Sequence, residues 1–177
     1  MKSYLEVKVP IEMDTPWFQE LRKKIDEHHI GVRWQNGFHH ITVVFIYEGP
    51  TIDRLENVFG ECLKGRIAPC LTFDKVDVFS ISPGRFIIYL TAEHPSNEFM
   101  TLVNYIRNAA KMTGCIFDDN FRLHVTLGRV YDEKTEMEQL RDITSSIAVP
   151  SFTLQLPEVR YMEYRFKEIA TWTMSRK

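Results

Sequence analysis

Two widely separated stretches of the chain contain the same three-residue pattern, a histidine and a threonine with a β-branched residue between them. The first copy is His40-Ile41-Thr42, and the second copy is His124-Val125-Thr126. Both copies lie in apolar runs that are typical of β-strands. Because side chains alternate across a strand, each histidine shares a face with the threonine two residues later. Each strand is therefore expected to present an imidazole and a hydroxyl side by side.

Two imidazoles on either side of one cleft suit general acid–base catalysis of phosphoryl transfer. A neutral imidazole can take a proton from an attacking hydroxyl or water, and a protonated one can give a proton to the leaving oxygen. The ordinary histidine pKa of about 6.5 makes both forms accessible near neutral pH. The hydroxyls of Thr42 and Thr126 would donate hydrogen bonds to the non-bridging phosphate oxygens. Such a scheme needs no metal and no cofactor.

The residues alone leave two other interpretations of these histidines open. His40 and His124 would be structural if they only formed hydrogen bonds to neighbouring threonines within a sheet. They would be metal ligands if a third ligand joined them, but neither triplet has a third ligand nearby. The occurrence of two copies at matching points of a repeated pattern favours the catalytic interpretation.

The elements around the triplets follow each other in the same order twice. Each triplet strand comes after one amphipathic helix and before another, and further strands follow. His40 and His124 are 84 positions apart, and the repeat runs roughly over 10–92 and 93–177. We therefore predict an α+β fold in one bilobal domain, 1–177. Its two pseudo-twofold-related lobes, each of antiparallel sheet plus helices, are expected to surround a central cleft.

The pattern also predicts where individual elements begin and end. The first helix is expected to begin near Pro16 and to end at Gly31, because proline favours helix starts and glycine favours helix ends. A later helix is expected to open at Asp132-Glu133, whose acids suit the positive end of the helix dipole. The last three strands are expected to be Phe152 to Leu156, Val159 to Phe166 and Ile169 to Met174.

The composition is that of an ordinary globular domain and excludes some classes of protein. The chain has 177 residues, 44% of them hydrophobic and 26% charged, which is enough to build a core. The net charge of −2 excludes a protein that holds nucleic acid by bulk positive charge alone. The three cysteines form no disulfide framework, and no stretch resembles a signal peptide or a membrane span. We therefore expect a cytoplasmic monomer without membrane association.

The stretches HHITVVF and LHVTLGR resemble the paired signatures of the 2H phosphoesterase superfamily. The resemblance is strongest to the branch of 2′-5′ RNA ligase-like proteins and RNA 2′,3′-cyclic phosphodiesterases, and it covers nearly the whole chain. It implies a metal-independent phosphoesterase that opens 2′,3′-cyclic phosphates of RNA ends or small nucleotides to 2′-phosphates. By this precedent His40 is the acid for the leaving 3′ oxygen and His124 is the base for water. Thr42 and Thr126 bind the phosphate.

Two other functions stay open beside this one. The four triplet residues would also serve cleavage or reversible ligation of 2′-5′ phosphodiester linkages in RNA or oligonucleotides. A protein that binds nucleotides or RNA ends without turnover would belong to a different class, and the intact triplets argue against it. A comparison of cyclic mononucleotides with 2′-5′-linked oligonucleotides separates the two enzyme functions.

Residues near the triplets are candidates for binding the rest of a substrate. Arg129 follows the second triplet, as an arginine often does in this branch, and is a candidate for phosphate binding. Strict alternation would place Arg129 on the face opposite His124 unless the strand bulges at Gly128. In the branch a proline often precedes the second histidine, where this chain has Leu123. Aromatic residues just upstream of the triplets are candidates for stacking on a nucleobase, namely Trp34, Phe38 and Phe121.

Overall fold

A computed structural model describes residues 1–177, which form four α-helices and eleven β-strands. The helices are α1 (Pro16–Glu27), α2 (Ile52–Leu63), α3 (Asn97–Met112) and α4 (Met137–Ser145). The strands are β1 (Ser3–Lys8), β2 (Val32–Trp34), β3 (His40–Glu48), β4 (Cys70–Phe73), β5 (Lys75–Ser82), β6 (Arg85–Thr91), β7 (Ile116–Phe117), β8 (Val125–Tyr131), β9 (Phe152–Gln155), β10 (Glu158–Glu163) and β11 (Lys167–Thr173). No helix among the four is long and apolar enough to cross a membrane.

The strands form three sheets, and the two triplet strands lie in different ones. The larger sheet has the order β11-β10-β1-β3-β7, and the second has the order β2-β8-β6-β5. Strands β4 and β9 form a separate two-stranded sheet. All of these strand pairs are antiparallel. The triplet strands β3 and β8 each have a neighbour on both sides, so the sheets hold them firmly in place.

Helices cover one face of each large sheet. α3 packs on β3 and α2 packs on β11, whereas α4 packs on β5 with α1 beside it. Phe59 of α2 stands edge-on to Tyr161 of β10, with ring centroids 5.6 Å apart. Phe18 of α1 stands edge-on to Trp34 of β2 at 5.3 Å. These apolar contacts form the core, and residues of the uncovered faces line the cleft.

The architecture confirms the predicted α+β fold, with two lobes of antiparallel sheet plus helices around a cleft. The lobes do not correspond to the two halves of the sequence. Strand β8 comes from the second half but pairs with β2 and β6 from the first. Strand β10 comes from the second half and pairs with β1. Because each sheet needs strands from both halves, neither half can complete a lobe alone.

One helix and one strand end at least three residues earlier than the sequence predicts. α1 ends at Glu27 rather than at Gly31, because His29 already takes a left-handed conformation with φ of 55°. This conformation cannot continue a right-handed helix. Strand β10 ends at Glu163 rather than at Phe166, because the chain turns there into the β10–β11 hairpin. The N–H of Phe166 donates a hydrogen bond to the carbonyl of Glu163 and closes this turn.

The fourth helix begins later than the sequence predicts. α4 begins at Met137 rather than at Asp132-Glu133. The carboxylate of Asp132 accepts hydrogen bonds from the N–H of Lys134 and the hydroxyl of Thr135. These bonds close a separate turn, so the aspartate satisfies loop groups instead of capping the helix. The sequence also does not predict β2 and β7, which are too short to show a periodic pattern.

Candidate active site

The first triplet strand has a β-bulge directly after its threonine. The register of β3 against β1 shifts between Thr42 and Val44, so Val43 is an extra residue. A bulge interrupts the alternation of side chains and changes the face of every residue beyond it. Val43 and Val44 are both buried in the core, and Phe45 therefore joins His40 and Thr42 on the opposite face.

The second triplet strand has a bulge at the equivalent place. The register of β8 against β6 shifts between Thr126 and Gly128, with Leu127 as the extra residue. Leu127 and Gly128 are buried, and Arg129 joins Thr126 on the other face. Strict alternation would have turned Arg129 toward the core, and the bulge removes that conflict. Phe45 and Arg129 thus occupy equivalent positions, each three residues after the threonine of its triplet.

An ion pair between α3 and the loop before β8 holds the bulge in β3. Arg107 donates a hydrogen bond to the carbonyl of Val43 at 3.0 Å, and Asp118 accepts one from the N–H of Phe45 at 2.6 Å. Arg107 and Asp118 also bind each other at 2.9 Å. A bulge leaves backbone groups of the bulged strand without ladder partners, and buried backbone groups need a partner. The ion pair therefore fixes the path of the strand that places Thr42 and Phe45.

The exposed faces of the two sheets meet at a cleft of about 750 Å³. His40, Thr42 and Arg129 line this cleft. His124 is close enough that its positive charge lowers the pKa of His40. Thr126 is half-buried on the same face of β8 as Arg129. His124 and Thr126 are not among the residues that line the cleft, but β3 and β8 contact each other, so the fold brings the two triplet strands together from different sheets.

His40 lies against a buried ion pair. Its Nε2 atom is 3.3 Å from Oε2 of Glu6, a side chain that is only 1% exposed. Arg160 of β10 forms a salt bridge with the other oxygen of Glu6, which compensates the carboxylate charge. Burial is the main cause that lowers the pKa of His40 to about 4, and the positive charges of Arg160, His124 and Arg129 lower it further. The imidazole of His40 is therefore neutral near pH 7.

A backbone carbonyl orients the second histidine. The Nδ1 atom of His124 is 3.0 Å from the carbonyl oxygen of Arg122. Because a carbonyl only accepts hydrogen bonds, Nδ1 carries the proton and Nε2 is the free nitrogen of the neutral ring. The rings of Phe79 and Tyr89 stand edge-on to the imidazole, with centroids 5.3 and 6.0 Å away. Burial lowers the pKa of His124 below its usual value, and the hydrogen bond to Arg122 opposes this shift.

The three aromatic stacking candidates have different surroundings. Trp34 lines the cleft, although its ring also packs against α1 in the core. Phe38 is 42% exposed and is not among the residues that line the cleft, and the guanidinium of Arg160 covers its ring at 3.7 Å. Phe121 packs against the core, with its ring 6.4 Å from that of Phe99, and is not among the residues that line the cleft.

The cleft also contains an aromatic wall and two further arginines, whose places the sequence alone does not decide. Tyr4 and Phe45 stack with centroids 5.9 Å apart, and Tyr164 stands edge-on to Phe45 at 6.3 Å. Arg33 and Arg165 line the same cleft. The sequence does contain a signal for Phe45. It is three residues after Thr42, just as the candidate Arg129 is three residues after Thr126. The remaining residues depend on which segments pair with β3 and β8, and no local pattern shows that.

Comparisons with known proteins agree with this architecture. The family model of the 2′-5′ RNA ligase superfamily matches residues 10–167. Among similar solved structures, E. coli LigT complexed with 3′-AMP is 16% identical with a TM-score of 0.59. Kluyveromyces marxianus Usb1 with uridine monophosphate is 11% identical with a TM-score of 0.65, and TT0787 of Thermus thermophilus is 14% identical with a TM-score of 0.62. Each alignment covers 98% of this chain and 98% of the other.

The similar solved structures show a shared fold, and the match to the family model shows the family of the chain. No curated protein sequence matches the chain. The matched residues, 10–167, include both triplets, both bulges and most of the strands that carry the cleft. Membership of the matched family supports a phosphoesterase enzyme in general terms. The chain belongs to the 2′-5′ RNA ligase superfamily, within the 2H phosphoesterases, and this confirms what the paired triplets predicted.

Proposed function

We propose that the protein is a metal-independent phosphoesterase that hydrolyses 2′,3′-cyclic phosphates of RNA ends or small nucleotides to 2′-phosphates. The observation that carries this proposal is the contact between the two triplet strands β3 and β8, which belong to different sheets, beside a cleft that His40 lines. Thr42 and Arg129 line the same cleft and supply groups that can bind a phosphate. The structures of LigT with 3′-AMP and of Usb1 with uridine monophosphate support a nucleotide as the ligand.

The proposed reaction removes one proton and supplies another. The base histidine takes a proton from water as the water oxygen bonds to phosphorus, and the bond between phosphorus and the 3′ oxygen breaks. The acid histidine gives its proton to that oxygen, which leaves a 3′ hydroxyl and a 2′-phosphate. Donors on Thr42, Thr126 and Arg129 stabilise the negative charge on the non-bridging oxygens in the transition state.

The charges around the histidines favour roles opposite to those of the family precedent. The pKa of His40 is lowered to about 4, so its ring is neutral and can accept a proton. The pKa of His124 is also lowered by burial, but its hydrogen bond to the carbonyl of Arg122 stabilises the protonated ring. The carboxylate of Glu6, which lies against His40, is already paired with Arg160. We therefore assign His40 as the base and His124 as the acid during hydrolysis.

Alanine substitution of each histidine tests the mechanism. We expect His40→Ala and His124→Ala each to lower kcat/KM for nucleoside 2′,3′-cyclic monophosphates by about 10²–10⁴-fold, since each removes one proton transfer. The assays contain EDTA, so that any activity which depends on a dissociable metal ion would be lost. His94→Ala is the matched control, because His94 is exposed in a loop, and it should keep the wild-type rate. Phosphorus NMR identifies the product as a 2′- or a 3′-phosphate.

A second substrate separates the two histidine roles. The leaving oxygen of an activated aryl phosphodiester departs without a proton, so its hydrolysis does not need the acid. His124→Ala should therefore recover much of its activity on the aryl ester, whereas His40→Ala should stay inactive. Recovery in His40→Ala alone would reverse the assignment, and wild-type activity of either variant on cyclic phosphates would contradict the two-histidine mechanism.

Cleavage or reversible ligation of 2′-5′ phosphodiester linkages is the second function that the site supports. The description of the matched family favours it, and the same two histidines and two threonines would serve. A higher kcat/KM for 2′-5′-linked oligonucleotides than for cyclic mononucleotides would identify this function. Binding of both ligands by the wild-type protein without turnover would instead identify a catalytically silent nucleotide or RNA-end binding protein.

A further inference from the structure

Three arginines line the cleft without a carboxylate partner. They are Arg33, Arg129 and Arg165, and none of them takes part in a salt bridge. Arg160, which does not line the cleft, is by contrast paired with Glu6. Unpaired guanidinium groups that converge on one concave site favour an anionic ligand, because they can bind it with charge-assisted hydrogen bonds.

Two of these arginines face each other directly across a strand pair. Arg33 of β2 is the register partner of Arg129 of β8, and like charges at such positions destabilise the pair. The amide oxygen of Gln35 accepts a hydrogen bond from Arg129 at 2.9 Å, which orients that guanidinium. An anion bound between the two side chains would replace their repulsion with attraction. The strand pair is therefore arranged as one side of an anion site.

The third arginine is held at the cleft by an unusual turn. Arg165 and Phe166 of the β10–β11 hairpin have φ of 81° and 70°, a left-handed region that residues with side chains rarely adopt. Phe166 is 83% exposed, so burial of its ring does not stabilise the turn. Strained backbone of this kind is concentrated at ligand-binding segments. The turn places both side chains in the lining of the cleft.

The arginines are separated from the triplets along the chain. Arg129 is three residues beyond Thr126 on β8, and Arg33 lies opposite Arg129 rather than opposite the triplet. The aromatic wall of Tyr4, Phe45 and Tyr164 belongs to the same cleft. A nucleoside on this wall could reach the triplets with one phosphate and the arginines with another.

We propose that Arg33 and Arg165, with Arg129 at the boundary, form a second phosphate site. The inference rests on the proposed function, since it takes the reacting phosphate to lie at the triplets. The substrate is then a nucleotide with a further phosphate on the 5′ oxygen of its terminal nucleoside. This group is free in a mononucleotide and links the terminal nucleoside to the preceding one in an RNA strand.

Calorimetric titration with adenosine 2′-phosphate and adenosine 2′,5′-bisphosphate measures the effect of the second phosphate without requiring turnover. We expect wild type to bind the bisphosphate about tenfold more tightly, as one or two additional charge-assisted hydrogen bonds would give. Arg33→Gln and Arg165→Gln should each bring the ratio of the two dissociation constants toward unity. Arg54→Gln is the matched control, because Arg54 is exposed on α2, and it should keep the wild-type ratio.

The outcomes separate this proposal from the proposed function. Equal affinity of wild type for both ligands, or a ratio that survives both glutamine substitutions, overturns the second phosphate site even if cyclic phosphates are hydrolysed. A preference for the bisphosphate that Arg33→Gln removes supports the site, even if no cyclic phosphate is hydrolysed and the proposed function fails.

Kinetics with three 2′,3′-cyclic substrates then identify the source of the phosphate. These carry a 5′ hydroxyl, a free 5′-phosphate or a 5′-linked nucleotide. If only the 5′-phosphate substrate has a higher kcat/KM than the 5′-hydroxyl substrate, the substrate is a mononucleotide. If the 5′-linked dinucleotide has the higher value, the substrate is an RNA end. Both results support the site. No gain from either group overturns it.

Discussion

His40 and His124 come from matching triplets, yet their neighbours give them different acid–base properties. Burial and the positive charges of neighbouring residues lower the pKa of His40 to about 4. His124 has a hydrogen bond from Nδ1 to the carbonyl of Arg122, which favours its protonated form. The triplets themselves could be found in the sequence, but these differences could not. Glu6 and Arg160 reach His40 from β1 and β10, which are far from it in sequence.

This difference predicts an acidic pH optimum. The proposed mechanism needs neutral His40, which predominates above a pKa of about 4, and protonated His124, which predominates below a pKa that is lower than 6.5. The value of kcat/KM should therefore rise as the pH rises through about 4, reach a maximum below pH 6.5 and fall at higher pH. Steady-state kinetics from acidic to alkaline pH, with circular dichroism to confirm folding, check this profile. A maximum in the alkaline range would contradict it.

At the scale of elements, the two bulges bring Phe45 and Arg129 to the same faces as the threonines of the triplets. The alternation of β3 predicts that His40 and Thr42 share a face, and the structure has them so, whereas His124 lies directly before the first residue of β8. The bulges themselves have no signal in the apolar runs, because Val43 and Leu127 look like ordinary strand residues. Their positions depend on the registers against β1 and β6. The same dependence on distant partners explains why Arg33 was not predicted for the cleft.

The presence of all four helices could be predicted because their signals are local, although the end of α1 and the start of α4 could not. Ser96 accepts a hydrogen bond from the N–H of Phe99 at 3.2 Å and caps α3, as its position before an apolar periodic run indicates. Gly114, with φ of 82°, follows the end of the same helix. Phe121 was expected near a nucleobase only because it precedes a triplet. Its contact with Phe99 of α3 depends on tertiary packing that proximity in sequence does not reveal.

Gly128 should be required for the close approach of β2 to β8. A Cβ atom at Gly128 would lie 2.5 Å from Cγ1 of Val32 and 2.9 Å from Cε3 of Trp34. Gly128→Ala should lower the free energy of unfolding by about 1–3 kcal/mol, because β2 must move away. Urea unfolding followed by circular dichroism measures this change. The displacement of β2 should also weaken binding of the bisphosphate, since Arg33 lies on that strand.

Gly31 offers a matched control for this substitution. It directly precedes β2, and a Cβ atom there would have no heavy atom within 4 Å. Gly31→Ala should therefore change the free energy of unfolding by no more than about 0.5 kcal/mol. Equal stabilities of the Gly31→Ala and Gly128→Ala variants would contradict the importance of close packing at β8.

At the scale of the whole molecule, an acidic chain surrounds a basic cleft. The net charge is −2, yet Arg33, Arg129 and Arg165 line the cleft, and the buried carboxylate of Glu6 is neutralised by Arg160. A concave site lined by one sign of charge attracts ligands of the opposite sign. Overall composition therefore excludes bulk binding of nucleic acid, but it does not reveal this local field.

The basic cleft predicts a salt-dependent reaction with anionic substrates. Raising the salt concentration from about 0.05 to about 0.5 M should lower kcat/KM several-fold, because screening weakens the attraction between partly exposed charges. Arg165→Gln should show a smaller salt dependence, since one of the attracting charges is absent. Initial rates at several NaCl concentrations measure the slope, and parallel unfolding curves show that stability is not limiting. A rate that is independent of salt in wild type would contradict steering by the cleft.

The bulges have one more consequence, which concerns the direction of the substrate. The two bulges place Phe45 and Arg129 at equivalent positions of their strands, but one side chain is an aromatic ring and the other is a guanidinium. An RNA end bound in the reverse direction would place its base against the guanidinium of Arg129 and its phosphate against the ring of Phe45. In the proposed reaction, these two side chains therefore determine the direction in which the RNA strand binds. The direction in turn determines which ribose oxygen leaves.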